Sequence, residues 1–411
     1  MRLLNRLIMG CLLMIQPASG RDYHIDGSVS EETLRSYLSR SITMMQMLAG
    51  KGDFEDNVRM LKSCGAKFVG RAVYNWGREE GGEAALPKRL EDIKAKAAKV
   101  HEADPEIILQ ACVFEIISEG VDKLPVPPWA FEALGQPVEI RNFRFADMGY
   151  PNGRGRNQWG QGSCVPDVSR SETRLFFHYL AASYIDAGCE AIHFGQAELM
   201  NGNDPDLKYW SEILERARQY AVKHARRHLV LCDAHVPHGG LVREGRLLLD
   251  FHSFPLRVAE VPERPQEGIL KNGFSDSLYG RSKGGLSPGG WKCDHLPYLV
   301  EFDNYGRSRK PGEPGMGGCW VWGWDEITWF SQQPESYRND WLRYAWKWLN
   351  EHDPDGYLEM PGYRCLSGTR NGKRWYYANQ PGKTVPEGFG QEETIRAIWD
   401  ADTRTLSGHA P

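Results

Sequence analysis

The sequence predicts an α/β fold, a (β/α)8 barrel with long loops at its C-terminal mouth and a short β-rich C-terminal extension. Three observations carry that expectation. Apolar extended runs alternate with helical patterns along most of the chain, as in βα units built around a parallel sheet. Polar and charged residues gather where those runs end, which is the rim that carries active groups in such barrels. The stretch L-P-Y-L-V-E-F-D-N-Y-G at 296–306 shows both features at once. Leu299, Glu301 and Asp303 share one face of an extended chain, and Val300 and Phe302 share the other. An unpaired carboxylate packed under apolar helices is costly. The acids are therefore expected on the inner side and mouth of the barrel, with Val300 and Phe302 under the helices.

The chain has 411 residues, 41% of them hydrophobic and 25% charged, enough for one barrel and an appendage. A formal net charge of -4 and the lack of long basic runs argue against nucleic acid as a partner and suit a neutral or weakly charged substrate. Residues 1–20 place Arg2 and Arg6 before an apolar run and then Ala18 and Gly20 at cleavage-like spacing, which reads as a secretory signal peptide. The run is too short for a permanent membrane anchor, so the expected location is secreted or periplasmic with no stable membrane insertion. The apolar run continues past Cys11, which argues against a lipid anchor there. Cys112, Cys189, Cys232 and Cys319 lie in or beside apolar runs and suit plain packing. Cys164, Cys293 and Cys365 fall in Gly/Pro-rich loops and are the candidates for disulfide pairing.

The elements follow in order. Ser30 caps a helix through Leu34 and Leu38. I-T-M-M-Q-M-L, up to Leu48, fits either more helix or a short first strand. A helix over 54–64 stops at Gly65, and F-V-G-R-A-V-Y-N-W is the next strand, ending in Arg71, Asn75 and Trp76. A helix over 90–101 leads to I-I-L-Q-A-C-V-F-E, which reaches Glu115. Between 118 and 169 the alternation fails amid Pro and Gly, and Trp129, Arg154, Arg156 and Trp159 appear. That insertion is either a lid over the mouth or a structural unit packed beside the barrel. Ser171 then caps a helix, and C-E-A-I-H-F-G-Q-A-E reaches Gln196 and Glu198. After a helix over 206–226 come L-V-L-C-D-A-H and L-L-L-D-F-H-S-F, then a second long loop at 255–296. The strand with Glu301 follows, then C-W-V-W-G-W-D-E and a helix over 337–350. From Phe68 these make seven strands, and the barrel closes only if I-T-M-M-Q-M-L is the eighth. The expected domains are a signal peptide at 1–20, a barrel at 21–353 with the 118–169 insertion, and a β extension at 354–411 packed on the barrel.

Groups at strand ends are the candidates for chemistry, and carboxylates dominate them. Two carboxylates facing each other across a cleft are what glycosidic-bond cleavage needs, one donating a proton and the other acting as nucleophile or base. Glu301 is the first candidate. Glu198 is the second, although strict alternation from Ile192 and Phe194 sends it toward the helices unless the strand has ended by Gln196. Arg71, Asn75, Trp76, Glu115, Gln196, Asp233, His235, Asp250, His252, Asp303, Tyr305, Trp322 and Trp324 are candidate substrate contacts. The chain has 14 Trp, and flat rings at strand ends can stack on the C-H faces of sugars. Asp233 with His235 and Asp250 with His252 could instead ligate a divalent metal in a barrel hydrolase. An early His-x-His strand end, which would support that reading, is absent, so no metal and no cofactor is expected. No G-x-S-x-G or dinucleotide fingerprint occurs.

In order along the chain, these strand ends resemble the clan of retaining (β/α)8 glycoside hydrolases that includes the family 5 cellulases and mannanases. Arg71 in F-V-G-R-A-V-Y-N-W looks like the clan's second-strand arginine, and His252 in D-F-H-S-F looks like its sixth-strand histidine. Glu301 looks like the seventh-strand nucleophile and a Trp of W-V-W-G-W like the eighth-strand platform. The clan's fourth strand ends in Asn-Glu, whereas this chain has G-Q-A-E-L-M-N-G-N-D-P. Aligning on Asn201 puts Gly202 at the acid position, and aligning on Gln196 leaves Glu198 one residue late. The resemblance implies an exported glycoside hydrolase acting on an oligosaccharide or polysaccharide. If neither alignment holds, Glu115 or an insertion residue supplies the proton, or the barrel binds sugar without cutting it.

Overall fold

The computed structural model describes residues 21–77, 85–308, 310–368 and 372–402. The expected signal peptide lies outside them. Eight parallel strands form a closed ring: β1 (Ser41–Met44), β2 (Phe68–Tyr74), β3 (Ile108–Cys112), β4 (Ala191–Gln196), β5 (Leu231–His235), β6 (His252–Pro255), β7 (Tyr298–Glu301) and β8 (Gly356–Cys365). They are ordered as in the sequence, and β8 pairs with β1 through Ile42 and Met360. An antiparallel strand, β9 (Trp375–Tyr377), extends β8 outside the ring.

The start of I-T-M-M-Q-M-L is thus a strand, S-I-T-M, as counting required. The other end of the count changes. Residues 320–324, W-V-W-G-W, form no strand, and the ring is closed by the segment expected to begin the C-terminal extension. The reason lies in β8 itself. Leu358 and Met360 pack outward in the main core while Tyr357 and Glu359 alternate inward, but two charges, Glu359 and Arg364, and the strand-disfavouring Pro361 mask that alternation.

Local signals set the first helices as expected. In α1 (Glu31–Leu38) the Ser30 hydroxyl accepts from Thr33 N at 3.0 Å. Gly65 ends α2 (Phe54–Cys64) with a left-handed φ of +74°. The main helices that follow are α3 (Ala85–Ala103), α4 (Ser171–Asp186), α5 (Lys208–His224), α6 (Glu326–Gln332), α7 (Glu335–His352) and α8 (Glu392–Asp400). Ser171 is the first residue of α4, and the cap position belongs to Arg170.

The barrel interior is layered. Phe68, Ile108, Ala191, Leu231, Phe251, Leu299 and Tyr357 fill its lower end, closed off by Leu34, Tyr37 and Leu38 of α1. One step up strands β3 to β8 the inward residues are polar: Gln110, His193, Asp233, Ser253, Glu301 and Glu359, all buried. On the outer face Val300 and Phe302 join the main core as expected, with Phe302 against Phe330 and Trp341. Burying such a ring contributes about 2–3 kcal/mol and holds β7 in register.

The insertion contributes both to packing and to the cavity wall. Phe143 packs on Phe176 and Tyr179 of α4, while Trp159 reaches the mouth. All cysteines among the described residues are free, so Cys164, Cys293 and Cys365 do not pair. No helix among the described residues is long and apolar enough to cross a membrane.

Candidate active site

A cavity of about 680 Å³ opens at the C-terminal mouth. Arg71, Asn75, Trp76, Glu115, Gln196, His235, Asp303 and Tyr305 line it, all of them expected there. The local backbone explains how several arrive. The β2–β3 register slips between Val69 and Val73, and Arg71 takes a left-handed φ of +53° within that irregularity. The turn sends its guanidinium across the barrel interior. A similar slip precedes Gln196, where Gly195 has φ +47° and a Cβ would stand 2.2 Å from Glu115 Oε2. Without that side chain, Gln196 donates from its backbone N and from Nε2 to the two oxygens of Glu115, each at 2.9 Å.

Glu301 lies beneath the floor, 3% exposed. Its Oε1 accepts from His235 Nε2 at 3.0 Å and from Arg71 Nη2. Its Oε2 accepts from Arg71 Nε at 2.6 Å and from Arg364 Nη1 at 3.0 Å. All four lone-pair positions of the carboxylate are taken. Burial alone would raise its pKa, but Arg71 and Arg364 outweigh burial and hold it well below the usual carboxylate range. Burial pushes His235 down to about 3, so its ring is neutral; with the proton on Nε2 it donates to Glu301, and Arg71 Nη2 lies 3.1 Å from the same nitrogen. Arg364 also donates from Nη2 to Asp303 Oδ1 at 3.2 Å, linking the floor to a carboxylate that does face the cavity.

The polar layer below supports this floor. Asp233 accepts from Gln110 Nε2 at 2.8 Å and Ser253 Oγ at 2.7 Å, and His193 Nδ1 lies 2.7 Å from it. Gln110 Oε1 in turn accepts from Arg71 N at 3.0 Å. Asp233 therefore organises the layer beneath the cavity and does not line it.

Other expected contacts lie elsewhere. β4 ends at Gln196, and Glu198 sits on a helical turn with its carboxylate against the His238 ring and the His238 backbone N. Asp250 and His252 alternate outward, because Phe251 and Ser253 take the inward positions. Asp250 accepts from Arg218 Nη2 and Cys232 N, each at 2.8 Å, and His252 Nδ1 meets Ser282 Oγ at 2.9 Å. The match of His252 to an active-site histidine fails for that reason, and the two Asp-His pairs do not converge on a metal. Among the described residues no group of three or more His, Cys, Asp or Glu is arranged to hold one. Trp322 stacks on Trp329 in the core and Trp324 abuts Gly368, since the loop lacks the alternation of a strand.

Of the W-V-W-G-W rings it is Trp320 that lines the cavity, and Trp375, which was not singled out, adds a further ring to Trp76, Trp159 and Tyr305. Trp159 packs edge-on against both Trp76 and Tyr305 and donates from Nε1 to the Glu115 carbonyl at 3.0 Å. Arg257 donates to Asp276 at 2.8 Å and to Glu326 at 3.1 Å. Burial still pushes Glu326 up to about 8. Period-two alternation in G-Y-L-E-M-P-G-Y-R-C is the signal that would have found Glu359. Arg257 and Asp276 come from a loop without such a signal.

The sequence matches no protein-family model, and no curated protein matches it. Among solved structures it is similar to a GH18 chitinase from Cycas revoluta, with 11% identity, a TM-score of 0.41, and coverage of 87% of this chain and 98% of that one. It is also similar to the Nostoc punctiforme debranching enzyme (11% identity, TM-score 0.32, 56% of this chain), of which it matches about half, 53%. An alpha-galactosidase from Thermus thermophilus matches at 12% identity and TM-score 0.31, over 57% of this chain and 48% of that one. These neighbours are glycoside hydrolases, and the (β/α)8 assignment of this chain rests on its own strand order and register.

Proposed function

We propose that this chain is an exported glycoside hydrolase that cleaves a glycosidic bond between Glu115 and Asp303. The supporting observation is their placement. Glu115 follows β3 and Asp303 follows β7, strands four apart in a ring of eight, so the two carboxylates enter the cavity from opposite sides. That is the arrangement a two-carboxylate mechanism needs. Asp303, with the Arg364 guanidinium beside it, serves as the nucleophile or base. Glu115, held in place by the Gln196 amide and backbone N–H, serves as the proton donor in this reading. The walls of Trp76, Trp159, Tyr305 and Trp320 give sugar rings apolar faces to stack on.

This reading moves Glu301 from nucleophile to anchor. A nucleophile must offer a lone pair to the anomeric carbon, and both Glu301 oxygens already accept two hydrogen bonds each. The same saturation favours a second reading, a barrel that binds sugar without cutting it. A panel of aryl glycosides and plant and algal oligosaccharides separates the two. The hydrolase reading expects turnover of at least one linkage, lost in Glu115→Gln and in Asp303→Asn. Calorimetric binding with no turnover on any member would establish the binding module instead.

A further inference from the structure

A third carboxylate in the barrel interior, besides Asp233 and Glu301, is unexplained by the proposed chemistry. Glu359 of β8 pairs in parallel register with Glu301 of β7, and both side chains point inward. Glu359 is 5% exposed. Its Oε1 has no hydrogen-bond partner among the described residues. β2 makes room for it: a Cβ on Gly70 would lie 1.7 Å from that oxygen, so the glycine leaves the space the carboxyl group occupies. A buried, partnerless oxygen beside an ionised carboxylate is costly for a second anion and tolerable for a neutral acid.

We propose that Glu359 carries a proton at neutral pH and is a positioning residue, the neutral member of an acid pair that leaves both Arg71 and Arg364 to Glu301. Its surroundings bear this out. The charged or titratable groups that act on it are Arg71 of β2, Asp233 of β5, Glu301 of β7 and Arg364 on its own strand, and a charge on Glu359 would raise the Cys112 thiol of β3. The neighbouring strand β1, S-I-T-M, has no titratable side chain. Burial first, and then the Glu301 charge, push Glu359 up to about 8. On losing its proton to solvent, Glu359 becomes a competing acceptor for the same two guanidinium groups. Glu301 then loses part of its clamp, and through Arg364 so does Asp303. Loss of that proton therefore sets the alkaline limit of whatever the cavity does.

The test has one arm that needs no substrate. Infrared difference spectra of the full-length chain across pH 6 to 10 should show protonated-carboxyl absorption lost with a midpoint near pH 8, from Glu359 and Glu326 together. In Glu326→Gln one band should remain, and in Glu359→Gln the complementary one. Absence of a band titrating near pH 8 in Glu326→Gln overturns the proposal, whether or not Glu359→Gln folds. If the glycoside hydrolase reading holds, Glu359→Gln should also move the alkaline limb of the turnover profile to higher pH. An unmoved limb overturns the positioning role. If no glycan is turned over, that reading fails by itself and the infrared arm still decides this one.

Discussion

Arg71 reaches Glu301 from a backbone position that ordinary side chains avoid, donating from Nε at 2.6 Å while its φ is +53°. Left-handed backbone costs a non-glycine residue roughly 1–2 kcal/mol. The two-pronged ion pair offsets that cost, and the Gln110 oxygen on Arg71 N helps to hold the turn. Arg71→Ala should lower unfolding free energy by about 3–5 kcal/mol, because a buried carboxylate is left with one guanidinium in place of two. Arg71→Gly should lose roughly 1 kcal/mol less, since glycine tolerates that φ. Urea denaturation of both variants checks the pair. Equal losses would mean that the bulge stores no strain.

Gly70 and Glu359 should be coupled. Gly70→Ala forces a Cβ into the Glu359 carboxyl group, and overpacking of this kind costs about 1–3 kcal/mol. In a Glu359→Ala background the same substitution should cost far less. A double-mutant cycle by urea denaturation measures the difference, and additive effects would contradict the contact.

Stability should pass through a maximum near pH 6 to 7. Burial lowers His101 and His178 to about 4 and His235 and His252 to about 3, from an ordinary value of 6.5. Below 6.5 the unfolded chain binds protons that these folded histidines refuse, so stability falls as pH falls toward 4. On the other side, burial raises Asp325 to about 6 and Glu326 and Glu359 to about 8. The folded chain keeps protons there that the unfolded chain has released, so stability declines as pH rises through 8. Denaturation midpoints measured from pH 4 to 9 test both limbs.

Trp159 should matter to substrate binding more than to folding. Its ring is held between Trp76 and Tyr305, and Tyr305 is 61% exposed. Trp159→Ala removes a stacking surface worth about 0.5–1.5 kcal/mol, so KM should rise by up to about ten-fold with a smaller effect on kcat. Steady-state kinetics on the best glycan of the panel give the split.

Glu198 provides a contrast with Asp303. Since its carboxylate is turned to His238 outside the cavity lining, Glu198→Gln should leave turnover near that of the wild type. Asp303→Asn should reduce kcat by about 10²–10⁴, the usual worth of a positioned acid or base. Comparable losses in both variants would return Glu198 to the mechanism.

The sequence by itself determined the barrel and most of its mouth. Period-two alternation assigned faces to β7, and strand ends named Arg71, Asn75, Glu115, His235 and Asp303, because a strand's inward residues follow from its outward ones. What alternation cannot supply is the register slip, and slips placed Arg71 and Gln196. Only the tertiary structure decided that Gly356–Cys365 closes the ring, since that depends on its pairing with β1 and β7 and on the space Gly70 leaves on β2. With β8 came Arg364, which together with Arg71 and His235 turned Glu301 from a candidate nucleophile into a saturated acid. Those contacts join residues 63 and 230 positions apart along the chain, a distance over which no local pattern carries information.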